Sequence, residues 1–506
     1  MSNSRIVKNS AVLYLRLLIT LALGMFTTRI VINALGIDDY GIYGVVAGLI
    51  TIFGFMNAAM SSSTQRYLSF DLGLKDSTRL QKTFTTSVNV HLFIGFVTFF
   101  LAEIIGLWAV NYLLEIPIDR LSAANIAFQF SLVAFFFGII QVPYHAVAIA
   151  YERMNAYAYI SITDAVLKLF AAYLLMISPI DKLVFYSQLL AFISFLSFVA
   201  YFSYVYMHCK EIKYAKYFDA KYYKEILSFS GWNLLGNIAA VARSQGINVL
   251  INIFFGVVLN AAYMVAMMIQ GVLMQFAASM QQAINPQIIK SYAQGELERT
   301  EQLMHLSSKY SFFVMLILIA PLYLNLDYVL ELWLGVIPNY SSTFIRYLFV
   351  FILIEVISNS LMIGLQATGK IKKYHITVGF IVFLNFPITY LAYTIYKEPE
   401  IAFLVLIFTS IISLYARLFF VKKQLGYSIF NFTKNVLSYI VLISSLSLPL
   451  FYLNQFDFFT NLFKVFSDAI ICSLYLMFVI FLFGLKKEEK LFVKNTLRKI
   501  FRNGSN

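Results

Sequence analysis

Residues 10–35 read SAVLYLRLLITLALGMFTTRIVINAL, and this stretch decides the fold class. Its charged residues are Arg16 and Arg29, and almost everything between them is apolar. A helix crosses the hydrocarbon core of a membrane with about 20 mostly apolar residues. The stretch is too long for the apolar region of a signal peptide, and no small-residue cleavage site and soluble domain follow it. It therefore predicts a first membrane-spanning helix.

The same window finds thirteen further spans along the chain, so that the sequence predicts about fourteen transmembrane helices. The further spans cover 40–66, 84–110, 123–149, 157–178, 183–207, 226–254, 261–289, 303–325, 343–366, 374–396, 401–421, 435–454 and 464–485. The connecting segments are short, so little of the chain is predicted to lie outside the membrane. The predicted fold class is an all-α polytopic membrane protein.

The composition agrees with this fold class. Of the 506 residues, 60% are hydrophobic and only 12% are charged, with a net charge of +13. A soluble fold of this length needs more charge to cover its surface, so the composition excludes a soluble enzyme, a nucleic-acid-binding domain and a disordered protein. The two cysteines, Cys209 and Cys472, are too few for a disulfide framework or a zinc site.

The basic residues predict the orientation of the chain. Lysine and arginine collect in the loops that stay in the cytoplasm. If the amino terminus lies inside, the cytoplasmic segments hold most of the 38 basic residues. The outer segments then hold only five, which are Arg120, Lys182, Arg346, Lys397 and Lys464. This asymmetry supports an even number of spans with both termini in the cytoplasm.

A weak internal repeat predicts two lobes. A shift of 220 residues places Gly36 on Gly256 and Tyr43 on Tyr263, each pair at the turn between the first two spans of its half. Six spans per half return the chain to the same side, so the repeats run parallel about an axis along the membrane normal. The predicted domains are an N-lobe (1–207), a cytoplasmic linker (208–225), a C-lobe (226–421), two extra spans (422–485) and a basic cytoplasmic tail (486–506).

Four basic residues inside the predicted spans, Arg16, Arg29, Lys168 and Arg243, are assigned to neither side of the membrane. Each costs roughly 2.5–3.5 kcal/mol at mid-span, so each must face a cavity, pair with an acid or reach the interface. Lys168 can pair with Asp164, four residues earlier on the same helical face, or serve a cavity. Arg29 lies near the outer end of its span and can reach the interface or face the cavity. Arg16 is predicted to face a cavity, with a kink at Gly24 accommodating the different directions of the two arginines.

The fourth cation, Arg243, has no acid nearby in sequence and is predicted to be a functional cation. Asn233 and Asn237 belong to a polar stripe on the same predicted helix. Such a stripe suits a cavity that binds sugar hydroxyls, although small polar residues also join membrane helices to each other.

The carboxylates inside the spans offer a second kind of site. Glu103, Asp164 and Glu355 lie within predicted spans. Carboxylates inside a membrane can carry protons or bind Na⁺, and they can equally pair with the cations described above. They are therefore candidates for coupling to H⁺ or Na⁺, and no other cofactor and no metal cluster is predicted.

The stretch that begins at Lys8 also carries a family resemblance. Arg29-Ile-Val-Ile-Asn-Ala-Leu-Gly-Ile-Asp-Asp-Tyr-Gly-Ile-Tyr43 resembles the end of the first span in Wzx-type polysaccharide flippases. Asn260-Ala-Ala-Tyr263 and Gln366-Ala-Thr-Gly-Lys370 are similar to the second half of that family. These flippases belong to a superfamily that also holds MATE antiporters.

The resemblance implies both a fold and a function. It implies a MATE-like fold and a bacterial cytoplasmic-membrane protein that moves an O-antigen or capsule repeat unit, linked to polyprenyl pyrophosphate, from the inner to the outer leaflet. It also implies alternating access through a cationic cavity, with Arg16, Arg29 and Arg243 as cavity arginines and, more loosely, Lys168. Arginine suits this role because its planar fork binds phosphate with two hydrogen bonds. Partners other than the lipid-linked substrate and membrane lipid, such as polysaccharide-assembly proteins, are not indicated by any residue.

Two other functions compete with the flippase. A MATE-type exporter of organic cations, driven by H⁺ or Na⁺, needs a cavity with net negative charge. A membrane polysaccharide polymerase or ligase needs a sizeable outer loop, whereas the longest predicted outer loop, about 326–341, is short. The sequence also shows no nucleophile elbow and no phosphate-cradling glycine loop. We therefore expect a transporter and not an enzyme.

Overall fold

The chain folds almost entirely into helices. The computed structural model describes residues 3–51, 54–113, 116–215, 218–334, 337–450 and 462–491. All regular secondary structure in these ranges is helical. The predicted all-α fold class is therefore confirmed for the described residues, while most of the predicted basic tail lies outside them.

The first half of the chain forms seven α-helices before the predicted linker. They are α1 (Asn3–Thr51), α2 (Gly54–Leu74), α3 (Ser77–Trp108), α4 (Leu121–Ile140), α5 (Val142–Ala150), α6 (Met154–Ile177) and α7 (Lys182–His208). Asp76 caps α3 by accepting a hydrogen bond from the backbone amide of Arg79 at 2.9 Å. Asp181 caps α7 in the same way through the amide of Val184, at 3.1 Å.

The second half begins with a long helical run and continues with shorter helices. They are α8 (Ala220–Ala293), α9 (Leu297–Leu324), α10 (Leu326–Leu334), α11 (Ser341–Thr368), α12 (Lys372–Phe383), α13 (Asn385–Tyr396), α14 (Ile401–Leu425), α15 (Ile429–Phe432), α16 (Ser438–Ser447) and α17 (Leu462–Val479). Gly369 and Gly426 end α11 and α14 in the left-handed conformation, which glycine adopts without steric cost.

Thirteen helical segments of the described chain are long and apolar enough to cross a membrane. Each overlaps one of the predicted spans, and α8 contains two of them, Tyr222–Phe255 and Ala262–Ala293. The predicted span without a counterpart, 40–66, contains residues 52 and 53, which lie outside the described residues. The chain is accordingly a multi-pass membrane protein.

The first helical run is broken at Gly36 and not at Gly24. Gly36 has φ 81° and ψ 170°, a backbone conformation that is open essentially only to glycine. Gly24 keeps helical dihedral angles, so the helix is not broken there, and the predicted kink at Gly24 stays a prediction. The break at Gly36 lies where the motif Asn-Ala-Leu-Gly ends the predicted first span, at the predicted turn between spans.

The segment after this break is held by an arginine from the α3–α4 connection. Arg120 donates two hydrogen bonds to the carboxylate of Asp39, at 2.8 and 2.6 Å, and pairs with Asp181 at 2.6 Å. Partial burial would raise the pKa of Asp181, but its hydrogen bonds from Arg120 and from the amide of Val184 outweigh this effect and hold the pKa below its usual value. One guanidinium thereby joins the part of α1 after Gly36 to the α3–α4 and α6–α7 connections.

A second polar cluster joins α2 to α3 beyond the end of the predicted span 40–66. The carboxylate of Asp71 is fully buried, pairs with Arg79 at 2.8 Å and accepts a hydrogen bond from the hydroxyl of Thr83. Burial raises the pKa of Asp71 to about 6, although Thr83 and Arg79 each lower it in part.

The described chain divides into two compact units. The amino-terminal unit holds Val7–Ile238 together with Ile289–Gly295, and the carboxy-terminal unit holds Ala239–Ile288, the described residues after Gly295 and residues 3–6. The predicted boundaries of the two lobes, the linker and the extra spans remain predictions.

Each unit has its own apolar core. In the amino-terminal unit α4 packs along α7, and the ring of Phe128, which is fully buried, lies against Gly106 of α3. In the carboxy-terminal unit α11 packs along α14, with the rings of Phe344 and Phe403 4.5 Å apart between their centroids. Close packing of this kind fixes the faces of the helices that remain available for polar side chains.

Candidate functional site

The amino-terminal unit contains a cavity of about 820 Å³. Its walls are built by α1, α5, α6 and α7, with Ser61 of α2 and Gly138 of α4. The charged and titratable groups that line it are Arg16, His145, Tyr157, Asp164, Lys168 and Tyr201. The volume falls within the range of sites that bind small molecules, roughly 300–1,000 Å³.

Arg16 is the cation of this cavity that pairs with no acid in the described chain. Its guanidinium donates a hydrogen bond to the hydroxyl of Tyr157 and lies 4.6 Å from the centroid of that ring. No carboxylate of the described residues lies within ion-pairing distance of it. The prediction of a cavity position for Arg16 agrees with this placement, while its role in binding a substrate stays a prediction.

Lys168 is neutralised by its own helix. Its ammonium lies 2.8 Å from a carboxylate oxygen of Asp164, and the other oxygen accepts a hydrogen bond from Ser197 of α7 at 2.7 Å. The sequence left open whether Lys168 pairs with Asp164 or serves a cavity, and the structure shows that both descriptions hold, because both residues line the cavity.

The cavity therefore carries a net positive charge when His145 is neutral. Arg16 and Lys168 face a single carboxylate, that of Asp164. The ring of His145 lies between those of Tyr157 and Tyr201, at centroid distances of 4.9 and 5.5 Å. The rest of the polar lining consists of uncharged donors and acceptors, which are Thr20, Thr27, Thr28, Ser61, Gln141, Ser161, Ser194 and Ser197.

Three other predicted substrate-binding residues of this unit lie elsewhere. Arg29 is an exposed residue of α1 and is not among the residues that line the cavity. Asn233 and Asn237 lie on α8, Asn233 buried and Asn237 half-buried, and neither lines this cavity. Their predicted contacts with a substrate remain predictions.

The carboxy-terminal unit holds its own charged cluster. Arg243 of α8 and Arg417 of α14 both approach the carboxylate of Glu355 on α11, at 3.9 and 3.6 Å. Arg243 also lies over the ring of Phe351, 5.0 Å from its centroid, and Ser410 donates a hydrogen bond to Glu355 at 3.3 Å. The acid that Arg243 lacks locally is thus supplied by Glu355.

Sequence reasoning missed Arg417 as an intramembrane cation. Arg417 falls four residues before the end of the predicted span 401–421, but its nearness to that end made it count as a cytoplasmic anchor. The structure buries it, with 7% of the residue exposed. The sequence does contain a signal for its burial. Lys422 and Lys423, which follow Arg417 by five and six residues, already anchor the cytoplasmic end of this span, so Arg417 is not needed in that role.

The third coupling candidate, Glu103, has an uncharged partner. Gln129 of α4 donates a hydrogen bond to it at 2.7 Å, and Glu103 does not line the cavity. Whether Glu103, Asp164 or Glu355 couples transport to H⁺ or Na⁺ remains a prediction. Among the described residues, no group of three or more His, Cys, Asp or Glu side chains could hold a metal ion.

Comparisons with known proteins identify the fold. No protein-family model and no curated protein sequence matches the chain. Among solved structures, a MATE in the straight conformation is 14% identical, with a TM-score of 0.69 over 83% of this chain and 96% of the other. An outward-facing multidrug resistance MATE family transporter of the MOP superfamily, at 14% identity and the same coverage, gives a TM-score of 0.70.

A further neighbour is a MOP superfamily transporter from Pyrococcus furiosus Vc1, reported with a binding pocket whose reverse polarity suggests a different function. It is 14% identical, with a TM-score of 0.67 over 83% of this chain and 96% of the other. Identities this low speak for the fold and not for the substrate. The chain therefore shares the fold of MATE transporters of the MOP superfamily, as the sequence resemblance implied.

Proposed function

We propose that this protein is a flippase that moves a polyprenyl-pyrophosphate-linked oligosaccharide from the inner to the outer leaflet of the cytoplasmic membrane by alternating access. The MATE-like fold supports a transporter. The resemblance of residues 29–43 to polysaccharide flippases supports the substrate class.

The charge of the cavity is the observation that carries the proposal. Arg16 and Lys168 are opposed by one carboxylate, so the cavity attracts anions and repels cations. At an effective dielectric constant of about 20, two unit charges about 4 Å apart interact by about 4 kcal/mol. A pyrophosphate, which carries at least two negative charges, gains from this potential, and Arg16 has no carboxylate among the described residues to displace first.

The uncharged lining suits the glycan part of such a substrate. Hydroxyl groups of serine and threonine can exchange hydrogen bonds with sugar hydroxyls, because each both donates and accepts. The apolar faces of sugar rings pack against aromatic rings, and the half-buried ring of Tyr157 forms part of the cavity wall. These side chains support binding of a glycan without indicating which glycan.

A MATE-type exporter of organic cations is the second candidate. The solved structures of similar fold include a multidrug resistance MATE family transporter, and Asp164 offers a carboxylate on the cavity wall. The pairing of that carboxylate with Lys168 at 2.8 Å argues against an exporter of cations, because it leaves the positive charge of Arg16 uncompensated in the cavity. The Pyrococcus furiosus transporter with reverse polarity of its pocket offers a precedent for a MATE-like fold with a changed function.

The test is a deletion of the gene followed by complementation. We expect lipid-linked oligosaccharide to accumulate on the inner leaflet and surface polysaccharide to disappear, and the wild-type gene to restore both. Arg16→Ala should fail to complement, because loss of a charge-assisted hydrogen-bonded contact costs about 1.5–3 kcal/mol, or roughly a 10- to 150-fold weaker affinity. Arg16→Lys should complement in part, since lysine keeps the charge and loses the fork.

Lys210→Ala supplies the comparison in the same unit. Because Lys210 is exposed and outside the cavity lining, its replacement should leave flipping close to wild type when the two proteins are expressed equally. Normal surface polysaccharide in the deletion strain, together with new sensitivity to cationic drugs, would replace the flippase proposal by the exporter.

A further inference from the structure

The arginine pair of the carboxy-terminal unit is only loosely neutralised. The distances from Arg243 and Arg417 to Glu355, 3.9 and 3.6 Å, are longer than the 2.7–2.9 Å of a charge-assisted hydrogen bond. Glu355 is therefore shared by two guanidinium groups and forms a close, two-bonded contact with neither.

Arg417 has a donor that is not fully satisfied. Its buried Nη1 atom faces Glu355 at 3.6 Å, too far for a hydrogen bond, and makes no hydrogen bond within the described residues, while its Nε donates to the hydroxyl of Tyr374 over 3.4 Å. Only 7% of the surface of Arg417 is exposed. A buried guanidinium donor normally has a partner, because an unsatisfied charged donor is costly inside a protein.

The charge balance of the cluster points the same way. Two guanidinium groups and one carboxylate leave one positive charge among side chains that are 16%, 8% and 12% exposed. All three lie within segments that can span a membrane, Tyr222–Phe255, Ser341–Thr368 and Ile401–Leu425. An uncompensated charge in such a place costs several kcal/mol, so the cluster gains free energy by taking up one negative charge.

From this geometry we infer that Arg243 and Arg417 form a binding site for one monovalent inorganic anion of the size of chloride. One such anion makes the cluster neutral, whereas a phosphate with two or more charges would leave an excess of negative charge. A small anion also suits side chains that are buried to this degree. The cluster disfavours Na⁺, because both arginines approach the carboxylate of Glu355 and leave a net positive charge there.

This inference gives Arg243 a role different from its predicted contact with the substrate. The anion would hold the crossing of α8, α11 and α14, whose residues the three charges join. It is separate from the cavity of the amino-terminal unit and does not depend on the flippase proposal.

The test measures thermal unfolding of the purified full-length protein while chloride replaces gluconate at constant ionic strength. We expect a saturable rise in Tm with chloride, of about 3–6 °C when chloride is about ten times its Kd. Arg417→Gln leaves Arg243 and Glu355 balanced and should abolish the rise. If that variant does not fold, Arg243→Gln leaves Arg417 and Glu355 balanced and gives the same test.

Glu355→Gln should strengthen the binding of chloride, whereas Arg417→Gln should abolish it. Glu355→Gln leaves two guanidinium groups without a carboxylate, so the chloride concentration for half of the effect should fall at least about tenfold. Arg346→Gln is the matched control, because Arg346 pairs with Asp327 at 2.8 Å in the same unit and should keep the wild-type response. The inference is overturned if wild type shows no saturable effect of chloride, or if Arg417→Gln responds as wild type does.

Discussion

A buried ion pair between α9 and the segment after α17 should be one of the strongest single contacts in the carboxy-terminal unit. The ammonium of Lys309, whose side chain is 2% exposed, lies 2.9 and 2.7 Å from the two carboxylate oxygens of Glu489. The same carboxylate accepts a hydrogen bond from the backbone amide of Lys486 at 2.7 Å. Lys309 also lies 5.0 Å from the ring of Tyr439.

The substitution Glu489→Gln removes the negative charge and keeps the shape of the side chain. Removing one partner of a buried pair costs about 3–5 kcal/mol, because the other charge remains buried without compensation. We expect the lower end, about 3 kcal/mol, since the glutamine oxygen can still accept one hydrogen bond from Lys309. For a unit of this size that loss lowers Tm by about 6–12 °C.

A double-mutant cycle separates this effect from a general loss of packing. Lys309→Met removes the buried charge, so Lys309→Met with Glu489→Gln should be more stable than Glu489→Gln alone. The measurement is unfolding of the purified protein in detergent, followed by tryptophan fluorescence. Lys486→Ala is the control, because its exposed ammonium donates a hydrogen bond of 2.9 Å to the uncharged Asn435, and it should change stability by less than about 0.5 kcal/mol. A loss below about 1 kcal/mol for Glu489→Gln, or a double variant no better than the single one, would refute the reasoning.

Two further predictions concern the amino-terminal unit. The folded-state pKa of Asp71, about 6, lies above its unfolded value of 3.8, so its contribution to stability is present below about pH 4 and is lost as pH rises through 6. Thermal unfolding between pH 4 and 7 should show this component, at most about 2–3 kcal/mol, and Asp71→Asn should lack it. Gly106→Ala should cost about 1–3 kcal/mol, because the new Cβ would lie 2.2 Å from Cζ of Phe128. Gly24→Ala, whose Cβ would meet no atom within 4 Å, should leave Tm unchanged or slightly raised, and equal effects of the two substitutions would contradict this account.

Local patterns in the sequence predicted the features that depend on local physics. The spans followed from the length of apolar stretches, and the pair of Lys168 with Asp164 followed from their spacing of four residues on one helix. In both cases the interacting residues are close along the chain, so their geometry is set by the helix itself.

The features that sequence reasoning missed depend on contacts between distant residues. Lys309 and Glu489 are 180 residues apart, and Arg243 meets its acid on α11 more than 100 residues later. Such pairs are set by packing between helices, on which a single sequence carries no direct information. The break in α1 at Gly36, by contrast, lies where the sequence placed the turn between the first two spans, because the signal for it is local.

The two cations of the amino-terminal cavity are not equivalent for an incoming anion. Lys168 lies eleven residues beyond Tyr157 on α6, which places it about 16 Å further along the helix than the contact of Arg16. The positive charge of Lys168 is largely cancelled by Asp164 at 2.8 Å, whereas that of Arg16 faces a neutral phenol. A phosphate group that enters the cavity therefore gains most at Arg16, where no ion pair has to be broken. At Lys168 the anion meets the carboxylate of Asp164 beside the ammonium, so repulsion from that carboxylate weakens binding at the second position. For the proposed flippase this difference predicts that the phosphate group binds first at Arg16, because the positive charge there is not opposed by a carboxylate of the described residues.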